Sequence, residues 1–216
     1  MRSQPENRCR SKVVAFAPGP QSWWVFEESS GPALTVRSSA QPIADTESMA
    51  NAAPNAFGCA LAYPGRQCIA LCGDGGFTMG GMGDLLTQIE RRTPVVQVIL
   101  NNEKYDFVHI EQQEAGFIPS GVEFKNPNFA KVAEAMGAKG IRIEEPGDVR
   151  EGLAEALAYK DGPVVVDAVV DPFALAMPSH SPFHTVKGFT LSFAKQVLSG
   201  RVDTVFKEIV RNVGLV

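Results

Sequence analysis

Four short apolar runs, at 67–72, 94–100, 140–143 and 163–170, recur along the chain, with a helical segment in each interval between them. After the first, residues 82–91 read as a helix whose closing basic residues suit its C-terminal dipole. After the second, Phe129, Val132, Ala133 and Met136 fall at i, i+3, i+4 and i+7 on one helical face, closed by Gly137. After the third come Val149, Leu153 and Leu157, again at helical spacing. Strands that are apolar nearly throughout must be covered on both faces, and helices between them make parallel connections. The expected fold is therefore α/β, a doubly wound, mostly parallel sheet with helices on both faces. Ligands of such a sheet sit beyond the C-terminal ends of its strands. A further helix is expected at 49–62, where small residues allow close packing and Pro54 lies near the tolerant start.

The flanks read differently. Residues 1–46 are rich in Ser, Pro, Arg and Gln and hold no sustained period. Within them, 12–17 is a candidate short strand, and Trp23 and Trp24 are candidates for burial. The organisation expected is an unassigned segment at 1–46, a principal domain at 47–186 and a helical tail at 187–216. In the tail, Val202, Val205, Phe206, Ile209, Val210 and Val213 form an apolar stripe opposite Asp203, Lys207, Glu208 and Arg211. This pattern reads as a helix docked on protein, with a membrane-surface helix as the alternative.

A net charge of −4 with no basic run argues against a nucleic-acid partner. The apolar stretches are strand-sized, too short to span a bilayer. Cys9, Cys59, Cys68 and Cys72 show neither a C-x-x-C pair nor zinc spacing, so buried reduced thiols are expected. With no apolar leader, a reducing cytoplasm fits best.

The residues that point to chemistry fall where two of the runs end. Gly73-Asp74-Gly75-Gly76 reads as a turn ending the first, and Asn101-Asn102 stops the second, 27 positions after Asp74. In a doubly wound sheet the two turns would open on one crevice. Asp74 offers a carboxylate and Asn101 an amide oxygen, and Mg²⁺ prefers oxygen ligands supplemented by phosphate. Gly73, Gly75 and Gly76 would let the backbone approach a diphosphate closely, and the following helix would present its N-terminus to it.

Gly-Asp-Gly followed at this spacing by Asn-Asn resembles the signature of thiamine-diphosphate enzymes. The segment Ser48-Met49-Ala50-Asn51-Ala52-Ala53-Pro54-Asn55-Ala56-Phe57-Gly58 is similar to the one that enters the cofactor cleft in pyruvate oxidases and quinone-dependent pyruvate dehydrogenases. Cys72-Gly73-Asp74-Gly75-Gly76-Phe77, Phe129-Ala130, Ala133-Glu134-Ala135 and Gly162-Pro163-Val164 continue the likeness. So do Lys187-Gly188-Phe189-Thr190-Leu191 and Ser199-Gly200-Arg201. The resemblance runs from about Ser48 to the C-terminus and favours the pyruvate oxidase branch over acetolactate synthase.

The resemblance implies site roles. Asp74 and Asn101 would bind Mg²⁺ through side chains and Glu103 through its carbonyl. Gly75, Gly76 and the run Asn101, Asn102, Glu103, Lys104, Tyr105, Asp106 and Phe107 would line the thiamine diphosphate. Met49 would support the bent cofactor, and Ser48 would lie beside its aminopyrimidine. No catalytic side chain is expected in the chain itself. The implied reaction of a complete enzyme is oxidative decarboxylation of pyruvate, with FAD and then a quinone or oxygen taking the electrons. An acetolactate synthase-like enzyme, another thiamine-diphosphate decarboxylase or ligase acting on a 2-oxo acid, or a non-catalytic fragment are the alternatives.

The chain also departs from those relatives. Glu47 stands where they carry glycine, and the likeness ends upstream of it. They carry two further domains, one supplying the glutamate that activates the cofactor and one binding FAD. The expectation is that this chain is incomplete on its own and works with missing upstream domains or as a homo-oligomer. The tail leaves a peripheral contact with the inner face of the cell membrane open. Residues 1–46 are expected to be a replaced or out-of-frame stretch. Two other candidates are weaker. His180 and His184 are separated by Pro182 and read as a loop pair. His109, with Glu111 and Glu114 as candidate acid/base partners, reads as part of a solvated polar face.

Overall fold

The computed structural model describes residues 50–174 and 183–212 (with side chains from 186 in the second stretch). It also describes the backbone of three strands: β1 (Lys12–Ala17), β2 (Trp24–Glu27) and β3 (Thr35–Arg37). The chain divides into two compact units. The first holds Met1–Leu100 and Pro127–Val169, the second Asn101–Asn126 and Val170–Val216.

The first unit is built on a seven-stranded sheet. The remaining strands are β4 (Cys68–Gly73), β5 (Val95–Asn101), β6 (Lys139–Ile143) and β7 (Val164–Val169), in the order β3-β2-β1-β4-β5-β7-β6. β1, β4 and β5 pair in parallel, as do β6 and β7, while β2 and β3 extend the edge antiparallel. Alternate side chains go to opposite faces of each strand. From β4 and β5, Cys68, Ala70, Cys72, Val95 and Ile99 join one core with α1 (Ala52–Ala62), α3 (Met82–Glu90) and α5 (Phe129–Met136). Ile69, Val96 and Val98 join a second core with α6 (Val149–Ala158), whose Ala156, Leu153 and Leu157 meet Val164 and Val166 of β7. Helices thus cover both faces, which is the doubly wound α/β arrangement.

Local chemistry sets the helix ends. Asn128 caps α5 by accepting from the Lys131 amide at 2.9 Å, and Gly137 closes it at φ 100°, a left-handed conformation natural to glycine. Cys68 and Cys72 are buried, and burial pushes their thiols up to about 11 and about 12. Cys9 lies outside the described residues.

The expected turn at 73–76 takes a different form. Asp74–Gly76 (α2) is already helical, and it runs through a π-helical turn at Phe77–Gly81 into α3. The reason is packing. A Cβ at Gly81 would stand 2.5 Å from the Phe77 ring, and one at Gly80 would stand 3.1 Å from the Ala50 Cβ. Gly80 and Gly81 thus serve a tightly packed wide turn.

The second unit is mainly helical: α4 (Asp106–Glu114), α7 (Phe183–Leu198) and α8 (Val202–Asn212). Helices α4 and α7 meet where Gly188 faces the Glu114 carbonyl, with Ile110, Phe189 and Phe193 in a small core. Side chains from α7 satisfy the turn after α4. Ser192 Oγ donates to the Phe117 carbonyl and Lys195 Nζ to the Gly116 carbonyl. The apolar stripe of α8 does not dock as expected. Val205 is buried, but Val202, Phe206, Ile209 and Val210 are exposed, Phe206 at 66%. Its buried partner on α8 is a carboxylate, Glu208. Val213 lies outside the described residues.

Candidate functional site

In the first unit, strand pairing sets the position of the carboxylate. β4 and β5 run parallel in register, from Cys68 opposite Val95 to Gly73 opposite Leu100. Asp74 is the next residue after Gly73, at the C-terminal end of β4 and the start of the helical run. Its side chain is 1% exposed, and its Oδ1 accepts from the Gly75 amide at 2.8 Å. A carboxylate at the first turn of a helix meets the positive end of the dipole. Gly75 and Gly76 are buried beside it, and a Cβ at Gly76 would stand 3.4 Å from the Ala50 amide nitrogen. The Thr78 hydroxyl donates to the Asp74 and Gly75 carbonyls, tying down the wide turn.

The second unit begins at Asn101, the last residue of β5. Asn101 is buried, and its Oδ1 accepts from Asn126 Nδ2 at 2.9 Å, which holds the amide oxygen in a fixed orientation. Asn102 Oδ1 accepts from the Lys104 amide, an Asx-type turn. Glu103 takes φ 56°, a left-handed conformation that is strained for a side-chain-bearing residue. The strain is held by two ladder bonds, Phe124 amide to Glu103 carbonyl at 3.1 Å and Tyr105 amide to Val122 carbonyl at 2.8 Å. The Tyr105 ring packs 4.5 Å from the Phe124 ring. Lys104 is buried, its Nζ donating to the Pro172 carbonyl at 2.8 Å and lying 5.3 Å from the Phe173 ring centre. Asp106 opens α4, and Phe107 is exposed on it.

In the first unit Asp74 offers a buried carboxylate; in the second, Asn101 offers an oriented amide oxygen and Glu103 a carbonyl on a left-handed residue. Among the described residues no group of three or more His, Cys, Asp or Glu side chains could hold a metal. A site with a single carboxylate and neutral oxygens lies outside that pattern, and Mg²⁺ routinely takes one or two carboxylates with waters and phosphate. Ser48 and Met49 lie outside the described residues. So does His180, and the side chain of His184 is not described. His109, expected on a solvated face, is instead 2% exposed, its Nε2 3.0 Å from Glu208 Oε1. Its partner comes from the tail 99 positions on. The amphipathic pattern of that tail pointed to its apolar stripe rather than to Glu208. Glu111 is exposed and Glu114 half-buried.

Residues 37–168 match the family model described as thiamine pyrophosphate enzyme, C-terminal TPP binding domain. The chain is similar to the acetolactate synthase of Bacillus subtilis, 35% identical over 120 residues, covering 56% of this chain and 21% of that one. It is also similar to the pyruvate oxidase of Lactiplantibacillus plantarum, 40% identical over 123 residues, covering 54% and 20%. Among solved structures it resembles a Rhodococcus jostii RHA1 thiamine diphosphate-dependent 4-hydroxybenzoylformate decarboxylase. There the TM-score is 0.53 with 28% identity, over 57% of this chain and 23% of the other. The chain thus spans about a fifth of the length of the curated relatives named here. These relatives do not single out the pyruvate oxidase branch, since acetolactate synthases match alongside it.

Proposed function

The chain belongs to the thiamine pyrophosphate enzyme family as a C-terminal TPP binding domain, and from that membership we propose that it binds thiamine diphosphate through Mg²⁺ held by Asp74, Asn101 and Glu103. The observation that carries this reading is the pairing of Gly73 with Leu100, which puts the Gly-Asp-Gly and Asn-Asn motifs at the ends of adjacent parallel strands. Asp74 and Asn101 supply side-chain oxygens, and Glu103 its carbonyl. Gly75, Gly76 and the run 101–107 line the diphosphate, where the absence of side chains and the helix N-terminus favour an anion. Ser48 and Met49, outside the described residues, are proposed as cofactor contacts on the likeness of the segment from Ser48 to Gly58 alone. When bound, thiamine diphosphate supplies the carbanion that attacks a keto carbon and holds the charge left by decarboxylation. The share of this chain is to neutralise the diphosphate, orient the cofactor and exclude water from its anchored end.

The whole enzyme acts on a 2-oxo acid. Two finer readings have separate support. The acetolactate synthase-type ligase or decarboxylase is supported by the breadth of relatives of that kind. The pyruvate oxidase or quinone-linked dehydrogenase, with FAD, is supported by the segment from Ser48 to Gly58 and by the tail from Lys187. Either requires further domains or subunits, in a cytoplasmic assembly whose tail remains open to a peripheral membrane contact. No helix among the described residues is long and apolar enough to cross a membrane.

Titration calorimetry tests the binding. Thiamine diphosphate is expected to bind this chain only with Mg²⁺ present, and Asp74→Ala to remove most of the affinity. Equal affinity in the two forms, or binding indifferent to Mg²⁺, would overturn the assignment. The finer readings separate in an assay of the chain with its upstream domains. Acetolactate formed from pyruvate marks the first, and pyruvate-dependent reduction of an artificial electron acceptor marks the second.

A further inference from the structure

Helix α8 is oriented against the hydrophobic effect. It leaves Val202, Phe206, Ile209 and Val210 exposed and buries Glu208 at 1% exposure. Burying a carboxylate is unfavourable unless it is paired, and a well-packed apolar side chain would stabilise the contact at least as well. The orientation of α8 is therefore set by what Glu208 meets. Its Oε2 accepts from Gln113 Nε2 at 2.8 Å, and its Oε1 lies 3.0 Å from His109 Nε2. Both partners are almost fully buried and both stand on α4, the helix that begins at Asp106 inside the run 101–107. The His109 amide in turn donates to the Tyr105 carbonyl at 2.9 Å.

A second brace joins the same helix to the same run. Lys104 Nζ donates to the Pro172 carbonyl and lies over the Phe173 ring. The Phe173 carbonyl accepts from Asn212 Nδ2 of α8 at 2.8 Å, and Lys207 Nζ lies 5.3 Å from the Phe173 ring centre. Arg211 pairs with Asp171 at 3.0 Å. One end of α8 thus holds the loop 171–173 on which Lys104 rests, and Glu208 holds the helix that follows the run.

We propose that Glu208 is a positioning residue for the proposed diphosphate-lining run 101–107, acting through His109 and Gln113 of α4. The carboxylate fixes where α4 starts, and with it the strained backbone at Glu103 and the turn at Asn102. This proposal rests on the cofactor reading given above, but its first consequence is structural and needs no cofactor.

The test compares Glu208→Ala and Glu208→Gln with the unchanged chain, at temperatures where circular dichroism shows all three folded. Hydrogen exchange without cofactor is expected to speed up at least tenfold at the amides of 101–107 in Glu208→Ala. Amides of β6 and α6 should keep their rates. Glu208→Gln retains an acceptor oxygen for Gln113 and should restore most of the protection. The affinity for Mg²⁺ with thiamine diphosphate should fall in step, by about tenfold. Faster exchange confined to α8, with 101–107 unchanged, would overturn the proposal. So would an affinity unchanged in Glu208→Ala despite a loosened run. If the unchanged chain binds no thiamine diphosphate, the cofactor reading fails alone, and the exchange result still decides whether Glu208 orders the run. A Glu208→Ala chain that does not fold leaves Glu208→Leu, apolar and similar in bulk, as the variant to measure.

Discussion

Asp167 Oδ2 accepts the Phe129 amide at 2.9 Å, so a fully buried carboxylate in the middle of β7 supports the first turn of α5. The same oxygen pairs with the Arg142 guanidinium on the neighbouring strand. One side chain thereby ties two strands and a helix.

Asp167→Ala is expected to destabilise the chain by about 3 kcal/mol. It leaves a buried amide without its acceptor, which costs about 1–3 kcal/mol, and removes one partner of a partly buried ion pair. Urea denaturation measures the loss. A midpoint unchanged from the parent chain would show that the contact contributes nothing.

Two helical glycines should respond in opposite ways to alanine. A Cβ at Gly188 would stand 1.7 Å from the Glu114 carbonyl oxygen, so Gly188→Ala must force α7 away from α4 and lower the melting temperature sharply. Gly58 in α1 has nothing within 4 Å, and Gly58→Ala should add roughly 0.5–1 kcal/mol through helix propensity. Thermal melts of the two variants give the comparison, and equal shifts would contradict the close crossing.

Cys68 and Cys72 should resist alkylation at pH 8 in the folded chain. Burial raises their thiols to about 11 and about 12, so almost no thiolate is present to attack. Mass mapping after iodoacetamide treatment should find both modified only once denaturant is added. Rapid labelling of either in the native chain would contradict their burial.

Acid should weaken the chain partly through Glu208. Burial raises this carboxyl, but the His109 ring and the Gln113 amide, with the Lys104 charge nearby, outweigh it and hold the group below its ordinary value near 4.5. A depressed carboxyl stabilises the fold above the unfolded value, and that stability is lost as pH falls through the lower folded value. Urea midpoints taken from pH 6 downward should therefore fall less steeply below about pH 4.5 in Glu208→Gln than in the parent chain. Parallel curves would remove this contribution.

What the sequence disclosed, and what it hid, follows from the range of the interactions involved. Strands β4, β5, β6 and β7 and helices α3, α5 and α6 came from local periodicity, because burial on two faces leaves apolar runs and helices leave stripes. Asn128 and Gly137 mark α5 for the same local reason. The run 73–76 misled, since a helix that begins at Asp74 and continues through Gly75 and Gly76 looks the same in sequence as a glycine turn. The stripe of α8 also misled, because its orientation depends on Glu208 meeting His109 and Gln113, partners 99 and 95 positions away. No periodicity reports a contact of that separation. Of the candidate site, the motif residues were legible from spacing and likeness, whereas the hydrogen bonds that fix Asn101 and strain Glu103 come from residues 122–126, which carry no motif.

The wide turn at Phe77–Gly81 has a consequence for the evolution of chain length. A π-helical turn accommodates one residue more than an α-helix would in the same rise. Deleting one residue within Phe77–Gly81 would therefore let the turn close into regular α-helix while Leu85 and Gln88 of α3 keep their buried faces and Leu86 its exposed one. In the regular helix that follows, each residue advances the helix by about 100°. A deletion inside α3 would rotate what comes after it by that angle and turn buried positions outward. The wide turn is thus slack in the chain between a strand end and the helix that covers its sheet, so a single-residue deletion is expected to be tolerated here and purged within α3.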